Sequence, residues 1–326
     1  MEPFEYRRAA TAKEALMLAS SGNAKFLAGG TELLNWMRIG IERPEVVVDI
    51  TRLEGLSTIK QLPSGGLSIG ALNKLNDVAQ HPTVVQDYPV LSQSILKAAS
   101  AQIRNLATIG GNPLQRVRCP YFRADEPTPC NKRNPGSGCA ALQGFNEKHA
   151  IFGWTEDCVA VQPSDPAVSL AALDAIYVTH GIAGGRRLPA REFHVLPSEN
   201  PAAHHRLNAD ELIVAVEIPR PSRQSAYLKI RERESYEYAT VSVAVALDLD
   251  GDVIRNARIA LGSVAMRPWR LDETERKLVG LRIGSTDIDV AVGAGFHEAH
   301  ALSRNAYKIT MARNAVVRTI TQAARA

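Results

Sequence analysis

Short apolar runs, cut by glycine and proline, recur along this chain, and few exceed the length of a strand. Lys25-Phe26-Leu27-Ala28 reads as a strand that stops at Gly29-Gly30, and the residues after the glycines carry helical spacing to about Arg38. Residues 46–50 and 67–69 read as further strands, residues 91–101 as a helix, and residues 171–178 as another regular segment. Residues 212–218 alternate weakly, as a half-buried strand does, and Pro219-Arg220-Pro221-Ser222 reads as a linker. Strands dominate from Tyr227 to about Leu261, with Asp250-Gly251 as a hairpin turn between alternating apolar residues. From Asp287 onward alanine, valine and charged residues return to helical spacing, through Thr321. The pattern predicts an α+β chain without an internal repeat or a low-complexity segment.

Composition narrows this only a little. Hydrophobic residues make up 45% and charged residues 22%, the balance of a soluble globular protein with a sizeable core, and 326 residues leave room for two domains. The 38 basic and 34 acidic residues leave a net charge of +4 without a sustained basic stripe, which argues against nucleic acid as a partner. No window approaches the roughly 18 uncharged apolar residues of a membrane span. Arg7-Arg8 precedes Ala9-Ala10-Thr11-Ala12-Lys13-Glu14 rather than the apolar region of a twin-arginine signal, so the pair reads as surface charge. The expected location is therefore cytoplasmic, with the periplasm open only to a chain that folds first and travels with a signal-bearing partner.

Two glycine pairs carry candidate chemistry. In Gly29-Gly30-Thr31 the missing Cβ atoms let a phosphate approach successive backbone N–H groups, and Thr31 adds a hydroxyl. Thr108-Ile109-Gly110-Gly111-Asn112 repeats the theme. Neither is G-x-G-x-x-G or G-x-x-x-x-G-K-[ST], so the Rossmann and P-loop readings fail on residue content. One glycine pair alone is an ordinary turn; two suggest a clamp on the two phosphates of one dinucleotide.

All four cysteines, Cys119, Cys130, Cys139 and Cys158, fall in one 40-residue window, with gaps of ten, eight and eighteen residues. Clustering without an export signal disfavours disulfides and favours a metal. Structural zinc uses close Cys-x2–4-Cys pairs, which are missing. Wide gaps suit a larger body wrapped by a loop, such as an iron–sulfur cubane, and Pro120, Pro127, Pro129, Pro135 and Gly136-Ser137-Gly138 are loop residues. Lys132 and Arg133 offset the negative charge of thiolates. Zinc, or four unligated thiols, are the alternatives.

The glycine strings, with Pro163-Ser164-Asp165, resemble the flavin subunits of molybdenum hydroxylases, a family that includes xanthine dehydrogenase, carbon monoxide dehydrogenase and bacterial aldehyde oxidoreductases. The resemblance continues through Tyr227-Leu228-Lys229-Ile230-Arg231, Val241-Ser242-Val243-Ala244 and Leu261-Gly262-Ser263-Val264-Ala265, with Arg267-Pro268-Trp269-Arg270. The cysteine loop is similar to that of the medium subunit of the periplasmic aldehyde oxidoreductase type, which carries an extra [4Fe–4S] cluster there. The resemblance implies a two-lobed, vanillyl-alcohol-oxidase-like FAD-binding domain at 1–222, with the cluster insertion at about 115–160, then a sheet-plus-helices flavoprotein domain at 223–326. It implies that Lys25, Phe26, Leu27, Ala28, Gly29, Gly30, Thr31, Glu32 and Leu33 wrap the FAD pyrophosphate, and that Thr108, Gly111 and Asn112 form a second wall. Ser164 and Asp165 would reach the ribityl or phosphate region, Ile213 and Lys229 the flavin ring, and the four cysteines would ligate the cluster.

By the same resemblance a large molybdenum-cofactor subunit oxidises an aldehyde or heterocycle. A small [2Fe–2S] subunit passes the electrons on, and FAD here reduces oxygen, a quinone, ferredoxin or a dye. The rivals are a stand-alone flavin oxidoreductase and a non-enzymatic, metal-stapled binding module. Among the remaining residues, adjacent His204-His205 reads as an exposed loop, Trp36 and Trp154 as packing, Tyr236 and Tyr238 as flavin neighbours or packing, and Asp165 as an alternative helix cap before Pro166.

Overall fold

The computed structural model describes every residue except Ser21 and Pro127, so Pro127 of the cysteine loop lies outside the described residues. Among the described residues three sheets organise the fold. Strands β1 (Glu5–Arg8), β2 (Ala24–Leu27) and β3 (Val46–Asp49) form a small parallel sheet in the order β1-β3-β2. Strands β4 (Ile59–Gln61), β5 (Leu67–Gly70), β6 (Ile176–Gly181), β7 (Arg187–Pro189) and β8 (Glu211–Ile218) form an antiparallel sheet in the order β4-β5-β8-β6-β7. The third sheet, β12-β11-β10-β9, is built from β9 (Ser225–Ile230), β10 (Val241–Asp250), β11 (Val253–Gly262) and β12 (Trp269–Arg270). The mixture of helix and sheet is the class the pattern predicts.

Local chemistry explains the element ends. In the helix Ala12–Ala19 the Thr11 hydroxyl accepts from Glu14 N–H at 3.2 Å while the Glu14 carboxylate accepts from Ala10 N–H at 2.7 Å, so two orphan donors are satisfied together. The predicted helix over 91–101 is interrupted: Pro89–Leu96 is helical, Ala99 takes φ +46°, and Ser100 caps a new turn, Ala101–Arg104, by accepting from Ile103 N–H. Residues 171–178 divide too, since the helix Asp165–Ala172 ends there and β6 begins at Ile176. The helical C-terminus is two helices, Asp287–Ala294 and Tyr307–Ala323.

The largest apolar core lies between the five-stranded sheet and the helices Leu75–Gln80, Pro89–Leu96 and Asp165–Ala172, and Tyr227, Ala244 and Ala260 of the third sheet reach into it. The other face of that sheet buries Val243, Val245, Ile259 and Leu261 against Val316 and Ile320 of the helix Tyr307–Ala323. Burying one such side chain stabilises by about 1.5–3 kcal/mol, so the two halves are joined by packing rather than by a tether. The predicted linker is likewise pinned: Ser222 is buried, its N–H donates to Asp87 O at 2.8 Å, and its hydroxyl accepts from Arg258 at 3.2 Å.

Candidate functional site

A cavity of about 880 Å³ opens where the parallel sheet, the five-stranded sheet and the β9 end of the third sheet meet. The first glycine turn forms one wall. A Cβ at Gly29 would lie 2.2 Å from the Leu106 carbonyl oxygen and 2.9 Å from Ala107 Cα, so the turn rests directly on the backbone that leads into the second turn. Gly30 takes φ +70°, which sends the chain into the helix Leu33–Arg38. In the second turn, Gly111 N–H donates to the Thr108 hydroxyl at 3.2 Å. The two turns are packed on each other and contribute adjoining walls.

Of the residues expected at the flavin, Lys25, Phe26, Ala28, Gly29, Gly30, Thr31, Glu32 and Leu33 line this cavity, as do Thr108, Gly111, Asn112, Asp165, Ile213 and Lys229. Leu27 and Ser164 do not. Leu27 packs behind the turn, close to Gly30. Ser164 caps the helix Asp165–Ala172 by accepting from Ala167 N–H at 3.0 Å, and its hydroxyl donates to Asn112, which ties the second turn to that helix. The cap is therefore Ser164, and Asp165 is the first helical residue. Asp165 is buried, accepting from Tyr227 OH at 2.6 Å and Lys229 Nζ at 2.8 Å. Burial drives its carboxyl upward, and Lys229 pulls against that.

Charged side chains that the sequence did not single out complete the wall. Glu42 pairs with Arg116 and, at 3.6 Å, with Lys25. Arg123 lies 4.6 Å above the Trp36 ring, so Trp36 both packs and faces the cavity. Burial pushes the Glu32 carboxyl up to about 7, against the pull of Arg123 and Arg116, and its Oε2 is buried without a partner. His204 and His205 are half-buried on this wall rather than exposed. Their rings do diverge, His204 toward Phe122 and His205 onto Phe193. Burial, with Arg116 and Lys25 nearby, lowers His205 to about 4, and burial with Lys132 and Arg116 nearby lowers His204 well below its ordinary value, so both imidazoles are neutral at pH 7. Tyr236, which is exposed, and half-buried Tyr238 also line the cavity.

The cysteine segment forms a second, small cavity beside the first. Cys119, Cys130, Cys139 and Cys158 all line it, with Lys132 and Phe122. All four thiols are free; Cys119 and Cys158 are buried, the other two half-buried. Cys130 and Cys139 face each other across an isolated antiparallel bridge. Asn131 sets that loop, accepting from Gly136 N–H at 2.9 Å and Gly138 N–H at 3.0 Å and donating to Asp157 O at 2.9 Å. Backbone N–H groups of Tyr121 and Phe122 donate to Cys119 sulfur, although burial pushes that thiol up to about 12. Lys132 donates at 2.6 Å to the carbonyl of Ala203, next to His204 of the large cavity. Arg133 instead donates to Ala124 O at 2.6 Å, away from the thiols. Phe122 touches both Trp36 and His204, so one aromatic ring separates the two cavities. Among the described residues, no group of three or more His, Cys, Asp or Glu is placed to hold a single metal ion.

The "FAD binding domain in molybdopterin dehydrogenase" family matches residues 2–221, and the "CO dehydrogenase flavoprotein C-terminal domain" family matches residues 226–323. The chain belongs to the FAD-binding medium subunits of the molybdenum hydroxylase family. It is 42% identical over 326 residues to the aldehyde oxidoreductase FAD-binding subunit PaoB of Escherichia coli K12, covering 99% of each chain. Against the carbon monoxide dehydrogenase medium chain of Hydrogenophaga pseudoflava identity is 27%, over 98% of this chain and 96% of that one. Among solved structures, CO dehydrogenase from Oligotropha carboxidovorans superposes with TM-score 0.77 at 25% identity, covering 99% of this chain and 98% of that one. Quinoline 2-oxidoreductase from Pseudomonas putida 86 gives TM-score 0.76 at 25% identity, with the same coverage. This FAD-binding subunit is thus part of an oxidoreductase, and both glycine turns line its large cavity. Among its described residues no helix is long and apolar enough to cross a membrane.

Proposed function

We propose that this subunit holds FAD in the large cavity and a [4Fe–4S] cluster on Cys119, Cys130, Cys139 and Cys158. We further propose that it is the electron-transfer component of a molybdenum-dependent aldehyde oxidase or dehydrogenase. Its partners in this reading are a large molybdenum-cofactor subunit and a small [2Fe–2S] subunit, and its external acceptor is oxygen, a quinone, ferredoxin or a dye. Residues 1–222 form the FAD-binding domain, with the cluster insertion at about 115–160, and residues 223–326 the flavoprotein domain. In this reading the chain folds in the cytoplasm, and co-export with a signal-bearing partner is a route to the periplasm.

The observation that carries the flavin reading is the contact of Gly29 with Leu106, which brings two glycine turns onto one cavity of about 880 Å³. Bound FAD supplies reversible hydride and electron chemistry on its ring, which no side chain offers. The chain's own residues bind and orient. The N–H groups and hydroxyl around Gly29, Gly30 and Thr31 grip a pyrophosphate, with Lys25, Arg116 and Arg123 supplying positive charge nearby. Lys229 stays oriented because Asp165 and the Lys97 carbonyl hold its ammonium at 2.8 and 3.0 Å.

Four thiols lining one small cavity support the cluster reading, and their wide sequence gaps suit a cubane better than the close cysteine pairs of structural zinc. N–H donors to Cys119 and the nearby Lys132 ammonium offset thiolate charge. The aldehyde substrate rests on full-length likeness to an aldehyde oxidoreductase subunit.

Cys130→Ser in the co-expressed complex is expected to lose iron and the broad absorption near about 400 nm while FAD stays bound, read by metal analysis and visible spectra. Unchanged iron would overturn the ligand assignment. The whole complex should oxidise aldehydes in preference to xanthine or carbon monoxide, and aldehyde oxidation by the isolated subunit would count against its role as a carrier.

A further inference from the structure

The buried His149 has no part in the reading above. Its Nε2 lies 3.3 Å from Cys119 Sγ, and both residues are buried. We infer that His149 is a positioning residue for the thiolate of Cys119, donating its Nε2–H to that sulfur and so raising the reduction potential of the cluster that Cys119 ligates. The inference rests on the cluster assignment proposed above and adds to it a residue that is not a ligand.

Three observations carry it. First, a ligating thiolate has lone pairs and no proton, so the contact is a hydrogen bond only if the imidazole donates. Second, among the described residues Nδ1 of His149 is buried without a hydrogen-bond partner, so the sulfur is the ring's one polar contact there. Third, the backbone that carries the ring is clamped from the C-terminal half of the chain. His149 N–H donates to Asn146 O at 3.1 Å, and its carbonyl accepts from Lys308 Nζ at 2.7 Å and Asn305 Nδ2 at 3.2 Å. Lys308 is completely buried and spends its other hydrogen bond on Ser263 O at 2.6 Å. A lysine amine taken out of water to hold two carbonyls is a costly brace, and it fixes the backbone that carries the imidazole. Hydrogen bonds to cluster sulfurs favour the reduced, more negative state, so one such donor moves the potential upward.

The test is a redox titration of the purified complex, followed by visible absorption and by the electron paramagnetic resonance of the reduced cluster, with iron and flavin content measured alongside. His149→Ala should keep iron and flavin and shift the cluster potential to more negative values. His149→Gln, which can still present an N–H, should move it back toward wild type. A residue that merely fills space would change thermal stability and leave the potential alone. An unshifted potential in His149→Ala, or equal shifts in the alanine and glutamine variants, overturns the inference. Should His149→Ala fail to retain iron, Lys308→Met becomes the deciding variant. It keeps the imidazole but releases its carbonyl, and an unshifted potential there overturns the inference as well. A wild-type complex without iron fails at the cluster assignment instead, and this inference falls with it.

Discussion

In the large cavity the walls are drawn from residue 25 to residue 238, and its shape depends on where backbone meets backbone; in the cysteine cavity the walls come from residues 117–160, and its character depends on side chains. Gly29 typifies the first, because any side-chain atom there would collide with the Leu106 carbonyl. Asn131 typifies the second, a single amide whose three hydrogen bonds fold the loop that brings Cys130 to Cys139. A site made by close backbone approach has little tolerance, since neither partner can rotate away. One made by side-chain hydrogen bonds degrades in steps of about 1 kcal/mol per bond.

The sharpest break in that comparison is Gly29→Ala. The added methyl would sit 2.2 Å from Leu106 O, so one turn must leave the other. The expected cost is about 3 kcal/mol, at the upper end for overpacking, together with loss of flavin while iron content stays near wild type. Thermal unfolding, with the 450 nm region read beside iron analysis, checks both halves. If Gly29→Ala binds flavin normally, the turns do not form the floor of its site.

Asn131→Ala should cost less, about 2 kcal/mol, because solvent can replace part of what the amide supplies to a loop whose tip is exposed. Its signature should be the reverse: iron falls and flavin stays. Loss of both cofactors together would show that the two cavities form one cooperative unit, which the shared Phe122 ring makes the alternative worth measuring.

The same contrast explains what the sequence made legible. The cysteines, clustered in one window, were readable as one site, and the structure does place all four on one cavity. The glycine pairs were readable because the residues of each turn are contiguous. Their mutual contact was foreseeable only as a clamp, and Arg116, Arg123 and Glu42 stayed invisible, since nothing local distinguishes a cation that faces a cavity from one that faces water. His204-His205 was read as exposed because adjacent side chains diverge. They do diverge, but each finds an aromatic partner, so both are covered. Asp165 before Pro166 looked like a cap; Ser164, one residue earlier, takes that role and frees the carboxylate for Tyr227 and Lys229, a pairing across more than sixty residues that no local pattern encodes. Strand β1 was missed because its four residues are all exposed and show no alternation.

The smallest expected effect is also opposite in sign. Glu32 sits on the wall of the large cavity with its carboxyl pushed from 4.5 up to about 7 by burial, only partly relieved by Arg123 and Arg116. A carboxyl whose folded pKa lies above its unfolded value binds its proton more tightly when folded. Below about pH 4.5 it is protonated in both states and costs nothing; as pH rises through 7 the folded protein must carry a poorly solvated carboxylate, and stability falls across that window. Glu32→Gln removes the ionisation while keeping the shape, so the flavin-free protein should unfold at a higher temperature than wild type at pH 8 and at nearly the same temperature at pH 4. The gain should be about 1 kcal/mol once water in the open cavity is allowed for. Equal gains at both pH values would mean that packing rather than charge is responsible. No gain at pH 8 would mean that Arg116 and Arg123 already neutralise the carboxylate, and the large cavity would then be poised for an anion before any cofactor enters it.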